Sequence, residues 1–251
     1  KNVALNTFNQ LRFLMLGSDR RTMTRAEAEA AQIDVGLRQH MLQVYNYMAS
    51  GVALTGIVAY AASHTPALMQ AIFGTPLQWV VMLAPLAFVM VLSFGINRLS
   101  LFTSQLLFWL FAGVMGLSLS SIFLIYTGES IARVFFITAA SFSALSLYGY
   151  TTKRDLGPMR SFLVMGLIGI IIASVVNMFM QSSAMQFVIS VVGVLVFAGL
   201  TAYDTQRIKL MYMESDSHET TGKKAIMGAL TLYLDFINLM IMLLHLFGNR
   251  R

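Results

Sequence analysis

The chain of 251 residues is 57% hydrophobic and 11% charged, and its formal net charge is +6. Because soluble globular proteins carry about 25% charged residues, this composition excludes a mainly soluble chain and predicts an all-α, polytopic membrane protein. The absence of cysteine excludes disulfides, thiolate catalysis and cysteine-bound metals. The basic residues lie in short segments between apolar blocks, which excludes nucleic acid as a partner.

Residues 1–39 are predicted to form a cytoplasmic N-terminal tail with a short helix. They contain no signal-peptide core, because the apolar run 11–16 is too short and is soon followed by three charged residues. Thr24 and Glu27 have the spacing of a capping box, so we expect a helix to begin there and to run into the first span.

Residues 40–251 are predicted to form a membrane domain of seven helices, since each apolar segment has about the 20 residues that cross a bilayer. Pro85 is expected to kink the second helix, because proline removes a backbone donor. The predicted segments are 40–63, 77–96, 104–126, 131–150, 161–180, 185 to at least 206, and 225–247.

Small residues recur at the spacing of helix contacts, which in lipid predicts close packing of backbones. The residues concerned are Ala49 and Ala53, then Ala112, Gly116 and Ser120, and finally Gly169 and Ala173.

The distribution of basic residues predicts the orientation. Lysine and arginine are concentrated in the tail and in the second-to-third, fourth-to-fifth and sixth-to-seventh loops, so the positive-inside rule puts the N-terminus in the cytoplasm. Seven full spans would leave Arg250 and Arg251 outside, against that rule. Either two terminal charges have too little effect, or the last segment does not cross fully; we favour full crossing.

Two aspartates lie within apolar segments. Asp235 is in the middle of the last span, where an ionised aspartate costs about 2.5 to 3.5 kcal/mol. Asp204 lies near the end of the sixth span. In a helical hairpin, residues equidistant from the turn lie level, and the midpoint between the two aspartates falls in the polar, turn-like stretch 218–222. The carboxylates are therefore expected at similar depth, provided that the sixth helix continues past Arg207.

Such a pair has a specific chemistry. Two carboxylates close together in a low-dielectric site do not both ionise easily, so the pair shares a proton and can act as a pH switch. When deprotonated, it attracts a cation, although Asp204 and Asp235 fall short of the six to eight oxygens of a tight calcium site, which predicts weak, transient calcium binding. Asn238 could add a donor or an oxygen, and Arg98 could reach inward as an accessory residue.

A simpler interpretation stays open, in which each aspartate only hydrogen-bonds a neighbouring helix or a water molecule. The four histidines are scattered and show no metal-binding spacing.

The blocks Leu-Tyr-Leu-Asp-Phe-Ile-Asn-Leu at residues 232–239 and Thr-Ala-Tyr-Asp-Thr-Gln at 201–206 resemble the transmembrane Bax inhibitor motif (Bax inhibitor-1) family, in its bacterial branch. The resemblance covers about residues 40–249. It implies six helices around a central seventh and a pH-sensitive calcium leak in the bacterial inner membrane. It matches the di-aspartyl sensor of that family to Asp204 and Asp235, and Arg98 is the nearest match to an arginine associated with that sensor.

The resemblance also implies a second function, because some bacterial members resemble regulators of a membrane-bound AAA protease. A non-catalytic modulator that binds other membrane proteins is therefore the main alternative to a leak channel.

An intramembrane aspartyl protease is a remote alternative. Asp235 lacks the Gly-x-Gly-Asp setting of such enzymes, and Pro66-Ala67-Leu68 lies in the first outer loop, far from the aspartates. No nucleotide loop, nucleophile elbow or metal motif occurs in the sequence. We therefore expect no enzymatic activity and no cofactor, with the bilayer, protons and calcium, the last as permeant ion, as partners.

Overall fold

The computed structural model describes residues 25–251, with side chains from residue 34 onward. The described residues belong to two units, with the boundary along the chain between Arg38 and Gln39, and all the contacts below lie in the second unit. Within the described residues the chain forms helices and one isolated bridge, without strands. The all-α prediction is confirmed. Thr24 of the proposed capping box, like the tail before it, lies outside the described residues.

Nine helices occur in residues 25–251. They are α1 (Arg25–Ser63), α2 (Pro66–Phe73), α3 (Leu77–Gly95), α4 (Leu101–Leu119), α5 (Ile122–Ile125), α6 (Gly128–Thr151), α7 (Met159–Met180), α8 (Ser183–Leu210) and α9 (His218–Phe247). Six spans are long and apolar enough to cross a membrane, with α4 and α5 counted together, and α1 with α2 makes a seventh if that bent pair is one span. Each predicted segment corresponds to one of these spans.

The short helix α2 was not predicted, because its residues were assigned to an outer loop. It follows α1 after a bend of 98°. Pro66 occupies the first position of α2, where its missing N–H has no intrahelical partner to lose. Met69 and Ile72 bury one face of α2, which packs against α3. Helix α3 itself continues through Pro85.

Helix α9 is the centre of the bundle. It packs against α3, α4, α6 and α8, and the Tyr233 hydroxyl reaches Thr55 of α1 at 2.6 Å. Of its most apolar stretch, 67% is buried inside the protein, compared with 11–39% for the spans from α3 to α8. The expectation of a central last helix is confirmed.

The end of α9 lies at the opposite end of the bundle from the α8–α9 connection. The Thr127 N–H donates to the Asn249 carbonyl at 3.1 Å, and the Arg251 N–H donates to the Ile125 carbonyl at 2.9 Å. These bonds tie the last residues to the connection between α5 and α6. Helix α9 therefore runs the full length of the bundle.

Close helix packing occurs at only some of the predicted small residues. A Cβ on Gly116 would lie 2.7 Å from the Thr55 carbonyl oxygen, so α1 and α4 touch there as expected. Within the chain, the prediction is wrong for Ala49, Ala53 and Gly169, which are exposed on the outer surface of the bundle. Spacing shows that small residues share one face of a helix, but not which face meets a neighbour.

Candidate di-aspartyl site

Two consecutive helices carry the aspartates. Helix α8 is capped by the Ser182 side chain, which accepts from the Met185 N–H at 3.3 Å, and α9 by Ser217, which accepts from the Thr220 N–H at 3.2 Å. Both caps satisfy backbone donors at a helix start. Helix α8 continues to Leu210, beyond Arg207. The sixth span therefore continues past Arg207, as equal depth of the two aspartates requires.

The turn between these helices lies earlier than predicted. Residues 211–217 form the connection, and the polar stretch 218–222 is the start of α9. The prediction of a turn at 218–222 was wrong because capping by Ser217 lets polar residues extend the helix beyond its apolar part. Lys224 stabilises the connection through bonds from its Nζ to the Met211 carbonyl at 2.8 Å and to Asp216 Oδ2 at 2.5 Å.

The two aspartates nevertheless lie at similar depth. A Cβ on Gly228 of α9 would lie 3.0 Å from Ile208 Cγ2 of α8, so these residues face each other. Four residues before Ile208 is Asp204, and four residues after Gly228 is Leu232, because the helices are antiparallel. Asp204 is thus level with Leu232, three residues or about 4.5 Å from Asp235 along the axis.

Both carboxylates are buried, with a relative exposure of 7% for Asp204 and 5% for Asp235. Asp235 Oδ2 has no hydrogen-bond partner in the described part of the chain. A buried polar atom without a partner is costly and rare in proteins, which marks Asp235 as a candidate functional group.

The surroundings of the two carboxylates differ. Arg207 Nη1 lies 4.0 Å from Asp204 Oδ1, and 54% of the Arg207 side chain is exposed. Asp235 lies deeper in the bundle, so the pair has one member near Arg207 and the bundle end and one in the apolar interior.

A polar chain beside Asp204 was missed by the sequence analysis. The Tyr45 hydroxyl lies 2.7 Å from Ser146 Oγ, which in turn lies 3.0 Å from Thr205 Oγ1. These contacts join α1, α6 and α8 at the residue after Asp204. Tyr45 lies near a span end, where the sequence alone favours an interfacial aromatic residue. The only signal for the polar chain in the sequence was Thr205, a hydroxyl residue within an apolar segment.

Neither accessory residue makes a hydrogen bond or an ion pair with Asp204 or Asp235 in the described residues. Arg98 is exposed in the turn between α3 and α4 and makes no ion pair in residues 34–251. Asn238 is partly buried, and its Nδ2 donates to the Leu234 carbonyl of its own helix at 2.8 Å. No group of three or more histidine, aspartate or glutamate side chains suited to a metal occurs in the described residues.

Comparison with known proteins decides the family. A sequence model described as inhibitor of apoptosis-promoting Bax1 matches residues 37–251. The chain belongs to the Bax inhibitor family.

Several relatives align with this Bax inhibitor family chain over nearly their whole length. An uncharacterised protein of Rickettsia prowazekii is 50% identical over 218 residues, which are 87% of this chain and 92% of the relative. The inner membrane protein YbhL of Escherichia coli is 49% identical, over 86% of this chain and 94% of the relative. An uncharacterised membrane protein of Streptococcus pyogenes is 36% identical, over 87% and 96%.

In this Bax inhibitor family chain, Gln206 attaches α8 to the connection between α6 and α7. Its Oε1 accepts from the Leu156 N–H and its Nε2 donates to the Arg154 carbonyl, both at 2.8 Å. Gln206→Leu should leave the buried Leu156 N–H unpaired, at about 1 to 3 kcal/mol. We expect trypsin to cleave the purified protein at the exposed Lys153 and Arg154 about tenfold faster.

The matched control for this experiment is Gln70→Leu, at an exposed position on α2. Cleavage at Lys153 and Arg154 at the same rate in both variants would show that Gln206 does not hold this connection.

Proposed function

We propose that this protein is a pH-sensitive cation leak of the bacterial inner membrane, with Asp204 and Asp235 as its proton sensor and calcium as the permeant ion. One observation carries the proposal: two buried carboxylates lie on adjacent helices at nearly the same depth, and Asp235 Oδ2 has no hydrogen-bond partner in the described residues. A carboxyl pair that serves only the fold would be expected to satisfy its oxygens.

The pair works as a switch through its shared proton. With the proton present, the two carboxyl groups attract each other and hold α8 against α9. When the proton leaves, two negative charges in the interior repel each other, and the contact between the helices weakens. Only a bistable helix contact is needed to convert this local change into opening.

The same pair recognises a hard cation once it is deprotonated. Asp204 and Asp235 together supply four carboxylate oxygens, and the amide oxygen of Asn238 adds another one turn along α9. This number is below the six to eight ligands of a tight calcium site. A weak site suits conduction, because an ion must leave as readily as it enters. The protein needs no resident cofactor and catalyses no reaction in this mechanism.

The proposed orientation has the N-terminus in the cytoplasm. The end of the bundle with the α6–α7 and α8–α9 connections carries Lys153, Arg154, Lys223 and Lys224, as the positive-inside rule requires of a cytoplasmic face. The Escherichia coli relative is named an inner membrane protein, which supports that location here.

Calcium flux into proteoliposomes across a pH series that spans neutrality tests the proposal. We expect the native chain to conduct in a pH-dependent way and the variants Asp204→Asn and Asp235→Asn to lose that dependence. Glu129→Gln, at an exposed position near the start of α6 at the other end of the bundle, is the control and should behave like the native chain.

Two results would contradict the proposal. Unchanged pH dependence in both asparagine variants would remove the aspartates as the sensor. No flux from the native chain at any pH would favour the non-catalytic modulator, whose binding of other membrane proteins would survive the loss of both aspartates.

A further inference from the structure

The outward face of α1 differs from the other lipid-facing surfaces. Its exposed residues between positions 43 and 56 are Asn46, Ala49, Ser50, Ala53 and Gly56, and none is a large hydrophobic residue. Helix α7 shows the usual pattern. Between residues 162 and 179 it exposes more than half of each of eight large side chains: Phe162, Met165, Ile168, Ile171, Ile172, Val175, Met178 and Phe179. Leu42 before this stretch and Ile57 after it are exposed, so only the part of α1 between them offers little apolar surface to lipid.

The same face carries a polar stripe. Gln39, Gln43, Asn46 and Ser50 follow one another at intervals of four, three and four residues, which puts them on one side of the helix. With Leu42, Tyr47 and Trp109 they line a groove of about 380 Å³ between α1 and α4. A groove of this size leaves room for side chains from another helix.

The Asn46 side-chain amide is the member of this stripe that most needs a hydrogen-bond partner. Val44 lies 3.3 Å from a Cβ on Gly228, so this part of α1 is level with the first turn of the apolar part of α9. Ser50 Oγ donates to the Asn46 carbonyl, whereas no hydrogen bond within residues 39–251 involves the Asn46 amide. Lipid chains can neither donate nor accept, so an exposed amide on the outer side of a span favours a partner that can do both.

We propose that the partner is a second copy of this chain, with α1 packed against α1 around a two-fold axis normal to the membrane. All copies insert in the same orientation, so their α1 helices are parallel and each residue of the stripe meets its own equivalent at the same depth. An amide both donates and accepts, so Asn46 complements itself. A charged stripe would repel its equivalent, but residues 39–56 contain no lysine, arginine, aspartate or glutamate.

The small residues on the same face allow the close approach that this pairing needs. Ala49, Ala53 and Gly56 continue the stripe towards the other end of the bundle, and a Cβ on Gly56 would have no atom within 4 Å. Small side chains at this spacing let two membrane helices come within hydrogen-bonding distance of each other. The inference does not depend on cation transport.

The absence of cysteine makes this contact directly testable. Single substitutions Asn46→Cys, Ala49→Cys, Ala53→Cys and Gly56→Cys are made in the full chain, and its membranes are treated with an oxidant. We expect a disulfide-linked dimer at these positions. Ile172→Cys on the exposed face of α7 and Val44→Cys on the buried face of α1 are the controls and should stay monomeric.

A second experiment measures the contribution of the amide. In lipid vesicles that contain the labelled full chain, Asn46→Leu should lower the dimer association constant about threefold or more, as expected for one interhelical hydrogen bond. Ile172→Ala, on the face that we assign to lipid, should leave it unchanged. Single-molecule photobleaching counts the copies in each vesicle.

Each other outcome overturns the proposal. These outcomes are no cross-linked dimer at any α1 position, equal cross-linking through Ile172→Cys, a cross-linked product with the mass of a different protein, and the same association constant for Asn46→Leu and the native chain. Flux measurements play no part in these readouts, so the leak and the dimer stand or fall separately.

Discussion

Asp235→Asn should leave the bundle folded and remove most of the pH dependence of cation flux. Asparagine has nearly the same shape as aspartate and resembles its protonated form, and Asp235 has no ion pair in the described residues that the change would break. In the variant, residue 235 therefore stays uncharged at every pH, as a protonated aspartate would be. If native flux changes about tenfold across the pH series, which corresponds to about 1.4 kcal/mol of coupling, the variant should change less than about twofold.

The double variant Asp204→Asn with Asp235→Asn gives the sharper result. A shared proton belongs to the pair and not to one residue, so the second substitution should add little to the first. Two independent sites would instead give additive effects on the logarithm of the flux. A flux measurement on the native chain, both single variants and the double variant completes the cycle, and additivity would refute a shared proton.

Gly149→Leu should prevent the protein from reaching its folded state. A Cβ on Gly149 of α6 would overlap the carbonyl oxygen of Ala202 on α8, and it would also lie 2.9 Å from the Ala202 carbonyl carbon and 3.0 Å from its Cα. These are backbone atoms, so no side-chain rotation relieves the overlap. Separating α6 from α8 also breaks the contact between Ser146 and Thr205. We expect a loss of more than about 4 kcal/mol.

The control for that substitution is Gly169→Leu. Gly169 lies on the exposed face of α7, and a Cβ there would have no atom within 4 Å. Exposed substitutions of this kind change stability by about 0.5 kcal/mol or less. Fluorescence-detected size-exclusion chromatography after heating compares the two variants. Equal melting temperatures would show that α6 and α8 are not in backbone contact.

Much of the fold was accessible from the sequence because a bilayer imposes a length and a polarity on each span. The helix starts were less accessible. Helix α9 begins at His218, about two turns before its apolar part, because Ser217 caps polar residues that hydropathy assigns to a loop. Likewise, α2 follows the 98° bend after Ser63 in a stretch that is too short to cross a bilayer.

The candidate site was accessible in part. Asp204 and Asp235 were identifiable because a charge within about 20 apolar residues is expensive wherever it lies. The chain of Tyr45, Ser146 and Thr205 was not, since hydroxyl groups are common in membrane helices and only the folded bundle brings these three together. The direction in which Ala49 and Ala53 point depends on the neighbours of α1, which local spacing does not contain.

The backbone contact at Gly149 has a mechanical consequence. The backbone of Gly149 on α6 lies against the backbone of Ala202 on α8. We therefore expect α6 and α8 to move together near this contact. Asp204 lies two residues after Ala202, so it is held close to this backbone contact. Asp235 belongs to the central helix α9, whose glycines at 222 and 228 face side chains rather than backbone. When the charge of the pair changes, we therefore expect α9 to shift while Asp204 stays in place.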